Sequence, residues 1–205
     1  RLHGTLMSGV RGQGKRPGEI RGSQVHIESL GTPIEEARYI PPPPRTLLDL
    51  IGDWEHFANE DLRIPALVQC ALLHYQFEAI HPYLDGNGRI GRLLITLFLQ
   101  AKGVLRTPLL YLSAYFDRER KEYYDQLFRV SSTGDWSVWL DYFLRGVEEQ
   151  AKDALSRARQ VRRLYEKYKE LLQNSRESGN ALLLLDVLFT QPYMTAPFAA
   201  EELDI

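Results

Sequence analysis

From Arg45 onward the apolar residues of this 205-residue chain recur at helical spacing. In RTLLDLIGDWEHFANE they occupy positions 47, 50, 51, 54 and 57, one face of an amphipathic helix. IPALVQCALLHYQFEAI predicts a second helix, with Pro65 in its first turn and its end at Ile80, because Pro82 disfavours helical geometry at His81. Ile90, Leu93, Leu94, Leu97, Phe98 and Ala101 form one face of a third helix that stops at Gly103. These two helices are read as largely buried, so residues 81–92 join two core elements. RERKEYYDQLFRVSS and DWSVWLDYFLRGVEEQ predict two more. Beyond them Val147, Ala151, Ala154, Ala158, Val161, Tyr165, Tyr168 and Leu172 alternate steps of four and three, a heptad-like seam thinned by its alanines. A long helix packed on its own domain is the first reading of that seam, and a helix pair or homodimer contact the second. The basic run from Arg157 to Lys169 is read as a solvated face.

The two ends are patterned differently. Residues 1–45 are rich in glycine and proline and predict mostly loop, except for the strand-like runs SQVHIES and EARYI on either side of LGTPIE. Those runs predict a small β-hairpin, about residues 23–40. At the other end NALLLLDVLF predicts an apolar helix, Gln191-Pro192 a turn, and Thr195 an N-cap ahead of APFAAEEL. A helix-turn-helix begins in this way, but the reading helix that should follow is not within the 205 residues.

Composition narrows the function only by exclusion. Hydrophobic residues make up 44% and charged residues 25%, ordinary for a globular protein. A net charge of −2 supplies no general attraction for nucleic acid or anionic lipid, so any polyanion contact has to be local. Cys70 is the one cysteine and lies in an apolar run, where it reads as a small buried hydrophobe. That excludes a disulfide framework or a cysteine metal site within these residues. No apolar run approaches about 18 residues, and no basic region followed by an apolar one marks a secretion signal. The cytoplasm is therefore the expected location, with no membrane partner.

The chemistry concentrates in HPYLDGNGRIGR, residues 81–92. A tight turn between helices would explain the glycines alone. However, Gly86 and Gly88 also let consecutive backbone N–H groups converge into an anion-binding nest at a helix N-terminus, where the dipole adds positive charge. Arg89 and Arg92 follow within one turn and can hold separate phosphate groups. Asp85 beside such a nest would repel phosphates unless a hard dication such as Mg²⁺ bridged them. His74 and His81 are seven apart with no further ligand at suitable spacing, a poor histidine metal site, so His81 is free to act as a general base; its other reading is a capping or packed histidine. The earlier stretch GVRGQGKR, residues 9–16, resembles a P-loop but has Arg16 where a hydroxyl is required, with no flanking strand and helix. It is rejected.

HPYLDGNGRIGR resembles the H-P-F-x-[D/E]-G-N-G-R-x-x-R signature of the Fic family of protein AMP-transferases, with Tyr83 in place of phenylalanine. RPGEIRGSQVHI, IPPPP, YYDQL and GDWSVWLDYFL stand in the family's order, so the resemblance spans residues 1 to about 150. It implies a mainly α Fic fold with a β-hairpin flap over the active site. The implied layout is a Fic domain over 1–150, a long connecting helix over 151–178 and a partial winged-helix-like segment over 179–205. The implied activity is transfer of AMP from ATP to a Ser, Thr or Tyr hydroxyl of a target protein, or of the chain itself, with release of pyrophosphate.

By the same resemblance His81 takes the hydroxyl proton, and Asp85 holds Mg²⁺ or Mn²⁺ on the phosphates. The 86–88 backbone (Gly86, Asn87, Gly88) cradles the phosphates, and Arg89 and Arg92 neutralise the outer ones. Tyr123 and Tyr124 wall the adenine end, with Ser131 as a polar contact. Val25, His26, Ile27 and Glu28 of the flap line the cleft, where the target protein docks by strand addition. The family's inhibitory segment, [S/T]-x-x-x-E-[G/N], does not occur in residues 1–205. Such a segment lies upstream of Arg1, was removed, or is supplied by another protein; where it is absent, Arg92 is expected to be unblocked and the chain active. Two alternatives stand beside this reading. One is removal of AMP, or transfer of another nucleotide or of phosphocholine, by the same site. The other is a DNA-binding regulator whose core only senses nucleotide, with DNA reached only through a full-length C-terminal unit.

Overall fold

The computed structural model describes residues 1–9, 14–27, 33–174 and 178–203. The chain divides into two compact units, Arg1–Ala151 and Lys152–Ile205. In the first, helix α1 (Leu2–Met7) comes first, 3-10 turns stand at Ile34–Glu36 and Pro44–Thr46, and then come α2 (Leu47–Asn59), α3 (Ala66–Ile80), α4 (Asn87–Ala101), α5 (Leu112–Arg118) and α6 (Arg120–Thr133). Helix α7 (Trp136–Gln173) starts in the first unit and continues into the second. The second unit also holds α8 (Ser178–Thr190) and α9 (Ala196–Glu202).

Helix α3 is the axis of the first unit and packs against α2, α4 and α6. Cys70, Ala71, Leu73, Tyr75, Phe77 and Ile80 are all buried along it, so nearly every face is covered. At about 1.5–3 kcal/mol for each large apolar side chain removed from water, this helix is the chief anchor of the fold. The core continues through Ile95 and Leu99 of α4, Phe116 of α5, Tyr123 and Val130 of α6, and Trp139 and Phe143 of α7. Two buried polar side chains of this core are paired with backbone carbonyls. Trp139 Nε1–H donates to the Ala71 carbonyl at 3.0 Å, and the Gln69 amide donates to the Phe57 carbonyl at 2.7 Å.

Several expectations are refined by the structure. Pro65 is the N-cap of α3 and Ala66 its first residue, one position later than the pattern implies. Within the segment expected to be loop, α1 forms a short helix whose His3 and Met7 are buried. Helix α5, which the periodicity did not single out, supplies Leu112, Tyr115 and Phe116 to the core. Where a hairpin was expected, the described residues hold one antiparallel bridge between Ile27 and Tyr39 (Ile27 N–H to the Tyr39 carbonyl, 2.9 Å). The Gly-Thr-Pro turn begins at residues that lie outside those described, as does Glu28. In the second unit Tyr165 donates to Asp186 at 2.7 Å and stacks edge-on against Phe189, joining α7 to α8. Thr195 caps α9, its hydroxyl accepting the Phe198 N–H at 3.4 Å. Among the described residues no helix is long and apolar enough to cross a membrane.

Candidate active site

Residues 81–92 connect α3 to α4, and each turn of the connection has a local cause. Pro82 bars His81 from continuing the helix, and His81 takes left-handed angles, φ 50° and ψ 61°. A non-glycine residue there stores about 1–3 kcal/mol, so neighbouring contacts have to hold it. The holder is Arg21, which is only 2% exposed. Its Nε donates to the His81 carbonyl at 2.8 Å, Nη1 to Ser23 O at 3.1 Å and Nη2 to Pro42 O at 2.6 Å, while its own N–H donates to Pro82 O at 2.9 Å.

The loop beyond is closed by Asn87. Its Oδ1 accepts the Tyr83 N–H at 2.9 Å and its Nδ2 donates to the Tyr83 carbonyl at 2.8 Å. Helix α1 supports the same loop from below. The His3 ring lies flat on Tyr83, with centroids 3.8 Å apart. His3 Nδ1 accepts the Gly18 N–H at 2.7 Å, which leaves Nε2–H to donate to the Asp85 carbonyl at 2.9 Å. Gly86 (φ 85°) packs so tightly here that a Cβ would lie 2.7 Å from Met7 Sδ and 3.1 Å from His3 Nε2. The close packing and the positive φ both demand glycine. Helix α4 then opens with no side-chain cap, and no acceptor among the described residues takes the N–H of Asn87 or Gly88.

These elements wall one cavity of about 430 Å³. His81, Gly88 and Arg92 contribute from the α3–α4 connection and α4, Tyr124, Phe128 and Ser131 from α6, and Ile27 and Tyr39 from the bridge segment. Ser131 Oγ is 2.9 Å from the Tyr75 hydroxyl. Arg38 pairs with Asp125 at 2.6 Å and lies over the Phe128 ring.

Burial sets the protonation of the site. Desolvation pulls His81 down to about 4, so its imidazole is neutral at neutral pH. His81 Nδ1 lies 3.4 Å from the Glu78 carbonyl, which can only accept, and Nε2 keeps its lone pair. Burial also pulls His74 down to about 3, where its Nε2 meets the Tyr123 hydroxyl at 2.9 Å.

Of the residues expected from the sequence, His81, Gly88, Arg92, Tyr123, Tyr124, Ser131 and Ile27 line the cavity. Tyr123 is 3% exposed, a floor residue held by His74 rather than an open wall. Tyr124 is 40% exposed, and its hydroxyl accepts from Arg120. Asp85, Gly86, Asn87 and Arg89 are not among the residues that line the cavity; Asp85 and Gly86 precede α4, and Asn87 and Arg89 belong to its first turn. The Asn87 side chain is committed to Tyr83, so what it leaves for an anion is its backbone N–H. Asp85 Oδ1 accepts the Gly86 N–H at 2.6 Å and lies 3.6 Å from Arg89 Nη2. Val25 and His26 stand beside the bridge and outside the cavity lining.

Residues the pattern did not mark are Arg21, His3 and Glu78. Glu78 had a legible signal, being the lone acid of α3 and three residues before His81. The other two act through backbone carbonyls that no spacing announces. As for a metal, Asp85 offers one carboxylate at the loop, and no cluster of three or more His, Cys, Asp or Glu side chains occurs among the described residues. Such a donor set suits a Mg²⁺ that takes its other ligands from phosphate and water.

Comparison with known proteins finds several similar chains. The model of the Fic/DOC family matches residues 1–99. A probable protein adenylyltransferase of Aquifex aeolicus, aq_aa38, is 36% identical over 69 residues, 34% of this chain and 22% of that protein. Protein adenylyltransferase fic-1 of Caenorhabditis elegans is 30% identical over 133 residues, 64% of this chain and 23% of that protein. A crystal structure of a Fic family protein from Desulfovibrio desulfuricans superposes with a TM-score of 0.64 at 25% identity, covering 98% of this chain and 59% of that one. The chain thus spans less than a quarter of the length of these two curated relatives.

Proposed function

We propose, from the premise that residues 1–99 belong to the Fic/DOC family, that this chain is a protein adenylyltransferase that moves AMP from ATP to a Ser, Thr or Tyr hydroxyl of a protein. The observation that carries the reading is the meeting, in one cavity, of a neutral His81, the open N–H groups at the start of α4, and Arg92. In this reading the target hydroxyl gives its proton to His81 Nε2 as its oxygen attacks the α-phosphorus, and pyrophosphate leaves. The Asn87 and Gly88 N–H groups and Arg92 stabilise the negative charge of the phosphates, with Arg89 at the outer edge. Arg21 and His3 hold His81 and the loop in register. Asp85 would hold Mg²⁺, which supplies charge neutralisation on the phosphates when bound.

The cavity's α6 side, with Tyr124, Phe128 and Ser131, is assigned to the adenosine. The bridge at Ile27 and Tyr39 is assigned to the flap, the site where an extended target segment would add as a strand. For the tail, α8, the Thr195 cap and α9 support reading residues 179–205 as the start of a winged-helix-like unit.

Incubation with α-labelled ATP and Mg²⁺ tests the activity. A labelled protein band is expected, and it should disappear with His81→Ala. Label from γ-labelled but not from α-labelled ATP would mean phosphoryl transfer and would overturn this proposal.

A further inference from the structure

Glu78 is a half-buried acid of the cavity that the mechanism above leaves without a task. It lines the same space as His81, Gly88 and Arg92, and it is the only acid among the described residues that does. Arg38, Arg92 and Arg120 line that space too, so Glu78 is a single negative charge in a cationic pocket. Its Oε1 is buried and has no hydrogen-bond partner. Buried polar groups are nearly always paired, and an orphan in a ligand cavity calls for an explanation.

The space around the carboxyl is shaped for it. A Cβ on Gly91 would collide with Glu78 Oε1, so that carboxyl oxygen occupies the room a side chain at 91 would fill. A Cβ on Gly88 would lie 3.0 Å from Arg92 Nη1 and 4.0 Å from Glu78 Oε1, so the two charged groups approach each other across the glycine that opens onto the phosphate loop. The other titratable groups around the carboxyl are His74 and His81 on its own helix, Tyr123 from α6 and Tyr39 from the bridge segment. The two histidines are neutral at neutral pH, which leaves Arg92 as the near counter-charge.

We propose that Glu78 takes up a proton when a nucleoside triphosphate enters the cavity, so that nucleotide binding by this chain is proton-linked. The inference rests on the nucleotide-site reading above. In the empty site Arg92 favours the carboxylate. An arriving triphosphate draws Arg92 to itself and adds several negative charges nearby, and both changes favour the neutral acid. The balance is close to begin with: burial raises Glu78 to about 7, against the pull of Arg92 in the other direction. The proton comes from solvent and ends on the Glu78 carboxyl, which sheds a repulsion that would otherwise oppose the phosphates.

The test is calorimetric titration of the full chain with the α,β-methylene analogue of ATP and Mg²⁺, in buffers of different ionisation enthalpy. Near pH 8 wild type should take up close to one proton per nucleotide bound, and the uptake should fade by about pH 6, where free Glu78 is already protonated. Glu78→Gln, nearly isosteric and always neutral, should bind the analogue no more weakly and without uptake. The pH series on wild type decides the matter even if that variant fails to fold. Binding without uptake in wild type, or equal uptake in wild type and Glu78→Gln, overturns this inference alone. No binding by either protein overturns the proposed function and this inference with it.

Discussion

Arg21 should matter more than any residue that touches substrate only at its edge. Three of its guanidinium hydrogen bonds, at 2.8, 3.1 and 2.6 Å, tie the His81, Ser23 and Pro42 carbonyls together, and a fourth reaches the Ile80 carbonyl at 3.4 Å. Hydrogen bonds from a charged donor contribute about 1.5–3 kcal/mol each, partly offset by the cost of burying the cation. Arg21→Met keeps much of the volume but leaves those carbonyls unpaired, a net loss of about 3–5 kcal/mol. For a chain of this size that lowers the melting temperature by about 6–20 °C. His81 has more to lose than the fold does. Its left-handed backbone is strained, and without the Nε bond to its carbonyl the imidazole swings from its place in the cavity. A displacement of about 1 Å at a reacting group can cost 10²-fold in rate, so labelling with α-labelled ATP should fall by that order even at temperatures where the variant is folded. Arg21→Lys should not rescue, because one ammonium cannot reach three carbonyls in a fork. Melting followed by circular dichroism, with labelling measured well below the transition, checks both halves. An Arg21→Met protein that melts within about 2 °C of wild type and labels at the normal rate would refute the reasoning.

Two further predictions concern the buried groups of α3. Gly91→Ala drives a methyl into the Glu78 carboxyl and should cost about 1–3 kcal/mol, while the Gly91→Ala/Glu78→Ala double variant should recover much of that loss. Urea unfolding of the four proteins measures it, and additive effects would show that the two residues do not share that space. His74 and His81, lowered by burial to about 3 and about 4 against an unfolded value of 6.5, bind fewer protons folded than unfolded. Stability should therefore fall as pH drops from about 6.5 towards 4, and His74→Phe should flatten that slope when melting is followed against pH.

The helices were legible because their apolar spacing is local. α2, α3 and α4 stand where positions 47 to 57, 66 to 80 and 90 to 101 announce them, but the buried face of α4 is not the one read from the spacing: Ile95 and Leu99 are buried with Ile90, while Leu97 and Ala101 are exposed. The end of α3 was legible too, since Pro82 acts on its immediate neighbour. Helix α1 was not, because its place is defined by partners far along the chain, and of the hairpin read over 23–40 the described residues hold the one bridge between its two runs. The twelve residues from His81 to Arg92 carry the resemblance, but the uses of their side chains do not follow from their order. Asn87 reads as a phosphate ligand, yet its amide closes the loop on Tyr83.

What the sequence alone determined is the set of chemical groups and the short-range geometry that delivers them: a proline that ends one helix, glycines that open the next, and a histidine and two arginines at fixed intervals. What only the tertiary structure decided is the state of those groups. Arg21 reaches His81 across 60 positions of sequence and His3 reaches Asp85 across 82, while the neutrality of His81 and the orphaned carboxyl of Glu78 exist only because the folded core excludes water from them. Backbone preferences act over a few residues, whereas burial and long-range hydrogen bonds depend on which distant segments the fold brings together.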